Sequence, residues 1–206
     1  MTLFAFAIAA LLLAVTPGPG IAYVVARTVA GGRSEGLASC LGTGLGGLVH
    51  VLASALGLSL VIAQSAAAFT VLKYLGAAYL VYLGIRLFVR KEPHAPAATP
   101  MTAQGARRAF FEGIAVEVLN VKTALFFLAF LPQFVSPVQP VTLQLVVLGA
   151  ICVALNTIVD VVAVLLADRL LRSEAARHAR ARMLSKVSGA TMVALGAWLA
   201  LVRRPT

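Results

Sequence analysis

The chain has 206 residues, 61% of them hydrophobic and 12% charged, with mean hydropathy +0.97 and 17 Lys and Arg against 7 Asp and Glu, a net charge of +10. Soluble domains are near half apolar and a quarter charged, so this composition excludes a water-soluble enzyme, a disordered chain and a secreted disulfide scaffold. It predicts an all-α integral membrane protein, with apolar residues enough for about six spans of roughly 20 residues each. No soluble basic domain exists to carry a nucleic-acid patch, so the positive excess reports topology instead.

In chain order, apolar runs cover residues 3–26, 36–63 and 72–89, then 110–134, 141–166 and 187–202. Each is long enough to cross a bilayer, some with tilt. The first run has no basic residues before it and shows Pro-Gly-Pro where a cleavage site would have small residues, so it is taken as a span and not as a signal peptide. A polar, proline-bearing linker over 90–108 separates the halves. Cys40 and Cys152 fall inside apolar runs without metal-ligand spacing and are read as small hydrophobes.

Of the 17 basic residues, 13 fall in or beside the connections 27–35, 90–108 and 172–186. The excess of Lys and Arg marks the cytoplasmic side, which places these three loops inside and both termini outside. Arg203 and Arg204 dissent. The loop 172–186 fits either a basic surface helix on anionic lipid or a solvated linker.

The third and sixth spans open alike, Lys73-Tyr74-Leu75-Gly76-Ala77 against Lys186-Val187-Ser188-Gly189-Ala190, and each carries a later glycine, Gly84 and Gly196. At roughly that offset His50 aligns with Asn156 and Ser54 with Asp160. Three spans per unit is an odd number, so the second copy enters the membrane the other way, which is an inverted repeat. The expected architecture is one transmembrane unit over 1–206, with repeat one about 1–89, the linker 90–108 and repeat two about 109–206.

The strongest local signal is Thr16-Pro17-Gly18-Pro19-Gly20. Two prolines remove two amide donors and the glycines permit non-helical angles. In hydrocarbon such backbone is tolerated only against protein or a water-filled cavity. The break therefore points inward, where a half-helix beginning at it aims amides at an anion such as a substrate carboxylate; a proline kink without a ligand is the plainer alternative. In span four, Glu117 lies three residues before Asn120, with Lys122 close by. Embedded ionisable residues are costly and usually face the bundle interior. Lys122 fits neutralisation of a carboxylate and Glu117 fits receipt of an amine or a proton, unless the two simply pair with each other. Glu112, beside Arg107 and Arg108, reads as a rim ion pair.

Asn156 and Asp160 are four apart and share a helix face. Asp160, Glu117 and His50 are the candidate proton carriers; an interhelical hydrogen bond would explain His50 equally well. Gly42 and Gly46 give a small-xxx-small spacing for close helix contact. Tyr74, Tyr79, Tyr82 and Trp198 are assigned no chemistry. No HExxH, GxSxG or P-loop pattern occurs, which argues against an intramembrane enzyme.

These residues in this order resemble the LysE/RhtB family of bacterial amino-acid exporters. The likeness runs through Thr16-Pro17-Gly18-Pro19, Gly32-Arg33, Gly36, His50, Lys73 to Leu80, Leu83-Gly84, Phe110, Gly113, Leu119-Asn120, Lys122 and Phe126 to Phe134. It covers nearly the whole chain. The apolar runs and the internal repeat predict six spans in two inverted three-helix repeats, and the resemblance implies that they lie in the bacterial inner membrane. It further implies a secondary exporter of amino acids or close derivatives, exchanging against protons and using no cofactor or metal. Thr16, Pro17, Gly18, Pro19, Gly20, Asn120, Lys122 and Asn156 are then the candidate substrate contacts. Export of a metal cation is the competing expectation, though imidazole and thiolate ligands are sparse. The family usually has Asn-Pro-Lys where this chain has Asn120-Val121-Lys122, which leaves a break in span four open. It often has asparagines where Gly20, Ile21 and Ala22 stand, and an acid where Asn156 aligns. Homodimerisation also stays open.

Overall fold

The computed structural model describes residues 2–58, 66–89, 102–136 and 138–170, together with scattered residues between 190 and 201, and all regular structure among them is helical. Helices α1 (Thr2–Val15), α2 (Pro19–Ala53) and α3 (Ala66–Val89) form the first half. The second half holds α4 (Ala106–Val118), α5 (Val121–Leu125) and α6 (Val141–Leu170). Two π-helical turns, Ser54–Leu58 and Phe126–Phe130, extend α2 and α5, and the latter continues into a 3-10 turn at Leu131–Phe134.

A straight 35-residue helix would be about 52 Å long, far beyond a hydrocarbon core of about 30 Å. Instead α2 is interrupted at Gly32, whose φ of 75° and ψ of −172° are not helical. The chain doubles back there. Thr28 lies against Gly36, and Val24, Cys40 and Val164 share one buried cluster. Arms 19–31 and 33–53 therefore form an antiparallel hairpin. The sequence placed a loop over 27–35; the structure makes nearly all of it helix, because Arg27, Thr28 and Glu35 are buried with polar partners.

The second arm packs on α4 through glycines. A Cβ at Gly46 would lie 2.8 Å from the Ile114 carbonyl, and one at Gly113 would lie 2.8 Å from the Ser39 carbonyl, so the small-residue spacing is a helix contact. A second core gathers Phe6 and Leu13 of α1, Ala77 of α3, Phe126, Phe127, Ala129, Phe130 and Leu131, and Leu145, Leu148 and Cys152 of α6. Gly196, one of the described residues of the expected sixth span, lies against Ala77 and Val81 of α3. Most of that span, residues 90–101 of the linker and the whole of 172–186 lie outside the described residues.

Two stretches, Pro19–Gly57 and Val141–Ala167, are long and apolar enough to cross a membrane, and Ala106–Val118 with Val121–Phe134 passes as a pair bent by 43°. The hairpin turn contacts the linker residues Thr102, Gln104 and Gly105, while Val164 near the end of α6 packs under it. The connection at 32, the linker and the end of α6 thus share one side of the bundle. Phe6 and the connection around Gln139 lie together at another place, lining a common cavity.

Backbone angles like those of Gly32 are nearly glycine-only and cost other residues about 1–3 kcal/mol. Gly32→Ala is expected to destabilise the purified protein by about that amount, read as a lower midpoint of thermal unfolding in detergent. An unchanged midpoint would show that the turn is not held as described.

Candidate functional site

The first apolar run is broken where the prolines stand. Helix α1 ends at Val15 and α2 begins at Pro19, with Gly18 as an N-cap that contributes no side-chain hydrogen bond. Pro17 lacks the amide that would serve the Leu13 carbonyl. The Lys122 ammonium takes its place, donating to the Leu13 carbonyl at 3.1 Å and to the Thr16 carbonyl at 2.8 Å. Leu12 is served locally, by the Thr16 amide at 3.1 Å and the Thr16 hydroxyl at 2.6 Å. A cation at a helix C-terminus is the favourable sign for the dipole. Lys122 is 6% exposed, so the carbonyls also stand in for the water its charge has lost.

Span four is broken too, without the proline. Leu119 and Asn120 leave the helical region, and the Asn120 side chain caps α5 by accepting the Lys122 amide at 3.1 Å. An N-cap asparagine does here what proline does elsewhere: it ends one helix and starts another. The Glu117 carbonyl receives the Asn120 amide at 3.0 Å and the His50 Nε2–H at 2.8 Å. A carbonyl only accepts, so the His50 proton sits on Nε2. His50 thus makes an interhelical hydrogen bond that supports the broken backbone.

The two breaks lie side by side. The Glu117 carboxylate is 1% exposed and accepts from Asn120 Nδ2 at 2.9 Å and from the Thr123 hydroxyl at 2.7 Å. It also abuts Gly20, where a Cβ would come within 2.7 Å of Oε2, so an anion already stands beside the amide end of α2. Gly18 gives equal room to the Lys122 stem, at 2.9 Å from its Cε. The glycines of Pro-Gly-Pro-Gly therefore admit two charged side chains, one to each end of the broken helix. The sequence aimed Lys122 at an incoming carboxylate; in the structure it holds carbonyls. Glu117 and Lys122 do not pair with each other: Lys122 bonds the carbonyl end of the broken helix, while Glu117 bonds Asn120 and Thr123 and lies against Gly20 near its amide end.

Between these elements is a cavity of about 10 Å³ lined by Leu13, Thr43, Glu117, Thr123, Asn156 and Thr157, among others. That is room for about one water. Asn156 reaches the cavity, and Asp160 sits one turn further on, buried, with Thr43 as its partner. The single Thr43 hydroxyl proton faces two acceptors, the Cys40 carbonyl at 3.0 Å and Asp160 Oδ2 at 3.1 Å. With the proton on the Cys40 carbonyl, a neutral Asp160 donates to Thr43; with an ionised Asp160, Thr43 donates to the carboxylate. The same heavy atoms suit both states. All eleven residues singled out in the sequence gather around this one place. Thr43 and Thr123 were not singled out: isolated threonines in apolar helices carry no spacing signal. Among the described residues no group of three His, Cys, Asp or Glu comes together for a metal ion.

Replacing Lys122 with Met would leave two buried carbonyls without a donor, at about 1–3 kcal/mol each. Thermal unfolding of Lys122→Met should show a loss of that order, whereas Leu119→Ala, at a side chain 77% exposed, should unfold like the parent. Equal midpoints for Lys122→Met and the parent would remove the ammonium from its assigned place.

Residues 11–203 match the family described as LysE type translocator. The homoserine/homoserine lactone efflux protein of Salmonella typhimurium is 31% identical over 202 residues, 97% of this chain and 96% of the relative. An uncharacterized membrane protein of Vibrio cholerae is 29% identical, covering 97% and 96% of the two chains. The leucine efflux protein of Salmonella choleraesuis is 25% identical over 66% of this chain and 65% of its own. No solved structure matches significantly. With its broken, charge-capped helices and this match over most of its length, the chain belongs to the LysE type translocator family.

Proposed function

We propose that this protein exports amino acids or close derivatives across the bacterial inner membrane in exchange for protons. It does so through one transmembrane unit of six spans in two inverted three-helix repeats, about 1–89 and 109–206, around the paired breaks. The observation that carries this is the pair of side chains on the broken helix: an ammonium on its carbonyl end and a carboxylate at its amide end. A zwitterionic amino acid bears the same two groups and can replace both. Its amine would go to Glu117 and the Leu13 and Thr16 carbonyls; its carboxylate would go to Lys122 and the first amides of α2.

The names of the relatives support this class. Homoserine, its lactone and leucine share an α-amine next to an acyl oxygen, which is carboxylate in two and a lactone carbonyl in the third. Lys122 donates to either kind of oxygen and Glu117 meets the amine in all three. The water-sized cavity corresponds to a closed state between loading and release.

Proton exchange is assigned to Asp160, whose Thr43 partner accommodates both protonation states, with Glu117 as the group that answers to substrate and His50 as support for its backbone. One charge moving down 100 mV is worth about 2.3 kcal/mol, a gradient of roughly 40-fold. Export is directed from the side of residue 32 and the linker, whose basic connections mark it as cytoplasmic, with both termini outside.

The test is uptake of labelled homoserine and leucine into everted vesicles under an imposed proton gradient. The parent should accumulate both. Glu117→Gln and Lys122→Met should each lose at least about tenfold in initial rate, the equivalent of one charged hydrogen bond. Asp160→Asn should keep exchange between labelled and unlabelled substrate while losing the response to the proton gradient. Accumulation that survives Glu117→Gln and Lys122→Met together would refute the site, and a full gradient response in Asp160→Asn would refute the proton assignment.

A further inference from the structure

We propose that the ionic network around Arg27 is the gate of the site on its linker side, and that it opens by exchange of ion-pair partners. The network sits on the interface that leads to the breaks. Gly20 meets Glu117; one turn on, the Tyr23 hydroxyl meets the Ala109 carbonyl at 3.0 Å and Glu112 Oε2 at 3.1 Å; one further turn on is Arg27. The arm 19–31 and α4 must part along this seam for anything to reach the breaks from the linker side, and Arg27 closes its outer end.

Arg27 is 2% exposed and every face of its guanidinium is engaged. It bonds Glu112 Oε2, Gln104 Oε1 at 2.6 Å and the Thr102 carbonyl at 3.4 Å, and its Nε donates to the Tyr23 hydroxyl at 3.2 Å. Glu35, across the hairpin turn, uses only one of its oxygens. Its Oε1 accepts the Gln104 and Gly105 amides, each at 2.7 Å. Its Oε2 is buried without a hydrogen bond, 3.6 Å from Arg27 Nη1. Glu112, in turn, has a second partner on its own helix, Arg108 at 2.8 Å.

This distribution is what an exchange gate requires. Arg27 and Glu35 both belong to α2, and Arg108 and Glu112 both belong to α4. In the closed arrangement Arg27 spans the seam to Glu112. When the arm leaves α4, Arg27 tightens its long ion pair with Glu35 into a hydrogen-bonded one and Glu112 stays with Arg108. Neither element carries away a naked charge, so the heavy penalty for breaking a buried pair is avoided. That second Glu35 oxygen makes no hydrogen bond and only a long ion pair with Arg27, whereas buried carboxylate oxygens are nearly always hydrogen-bonded.

The proposal rests on the transport reading above, but its test reads accessibility and not efflux, so the two fail separately. Cys40 is the reporter: it is 1% exposed and packed between the hairpin arms and α6. In a Cys152→Ala background it is the sole thiol. Reconstituted protein is treated with a polar maleimide on both faces, and the rate of Cys40 modification follows the population of the open state. Glu112→Gln removes the closed-state partner and should speed labelling at least about tenfold. Glu35→Gln keeps the acceptor for the two amides and loses only the long closed-state ion pair, but deprives the open state of its main partner for Arg27, so labelling should be no faster than the parent. Arg27→Gln should label quickly and Arg27→Lys should return toward the parent rate. A merely structural staple would loosen with either glutamate changed. Acceleration in Glu35→Gln equal to that in Glu112→Gln, or no acceleration in Glu112→Gln, would overturn the gate; if Arg27→Gln does not fold, the two glutamate variants decide it alone.

Discussion

The structure turns on a backbone problem: a helix broken inside an apolar bundle exposes carbonyls at one end and amides at the other, with no water to serve them. Each orphaned group in such surroundings costs several kcal/mol. The chain solves this with side chains from a second break. Lys122 covers the carbonyls of α1 and Glu117 stands at the start of α2, and each is itself a charge that could not be buried without such a partner. The two breaks are therefore mutually dependent.

That dependence ties fold to transport. In the proposed export, a small charged solute displaces groups that compensate each other while the site is empty, and displacement frees side chains to move. The seam between the hairpin arm and α4 ends in charged residues at the linker. The other core is aromatic, with Phe126 stacked on Phe130 at 4.9 Å, Phe130 tilted against Phe134 at 5.4 Å and Phe6 edge-on to Phe134 at 5.3 Å. Ion pairs are directional and can exchange partners. An aromatic stack slides and repacks.

Much of this was legible in the sequence because the bilayer makes polar residues expensive. Two prolines and two glycines in span one had few explanations, and Asn120, Lys122, Glu117, Asn156 and Asp160 stood out against an apolar background; all of them converge. What remained hidden was direction. A lysine near a break invites an anion, and only the packing shows it turned toward carbonyls instead. The break in span four could not be read once proline was missing, because asparagine caps a helix only when its flanks are already non-helical. Arg27 and Glu35 looked like loop charges, since pairing across a hairpin leaves no trace in local spacing. Boundaries drifted for a similar reason: α3 and α4 begin earlier than their apolar runs, where helix continues past the hydrocarbon signal.

The most direct test of the account is the separation between Lys122 Nζ and the carbonyl carbons of Leu13 and Thr16, measured by solid-state dipolar recoupling in selectively labelled protein in lipid. The account predicts strong couplings to both carbons in the substrate-free protein, none to Leu12, and weakening of both when a transported amino acid is added to saturation. Absence of both couplings in the substrate-free state would contradict it.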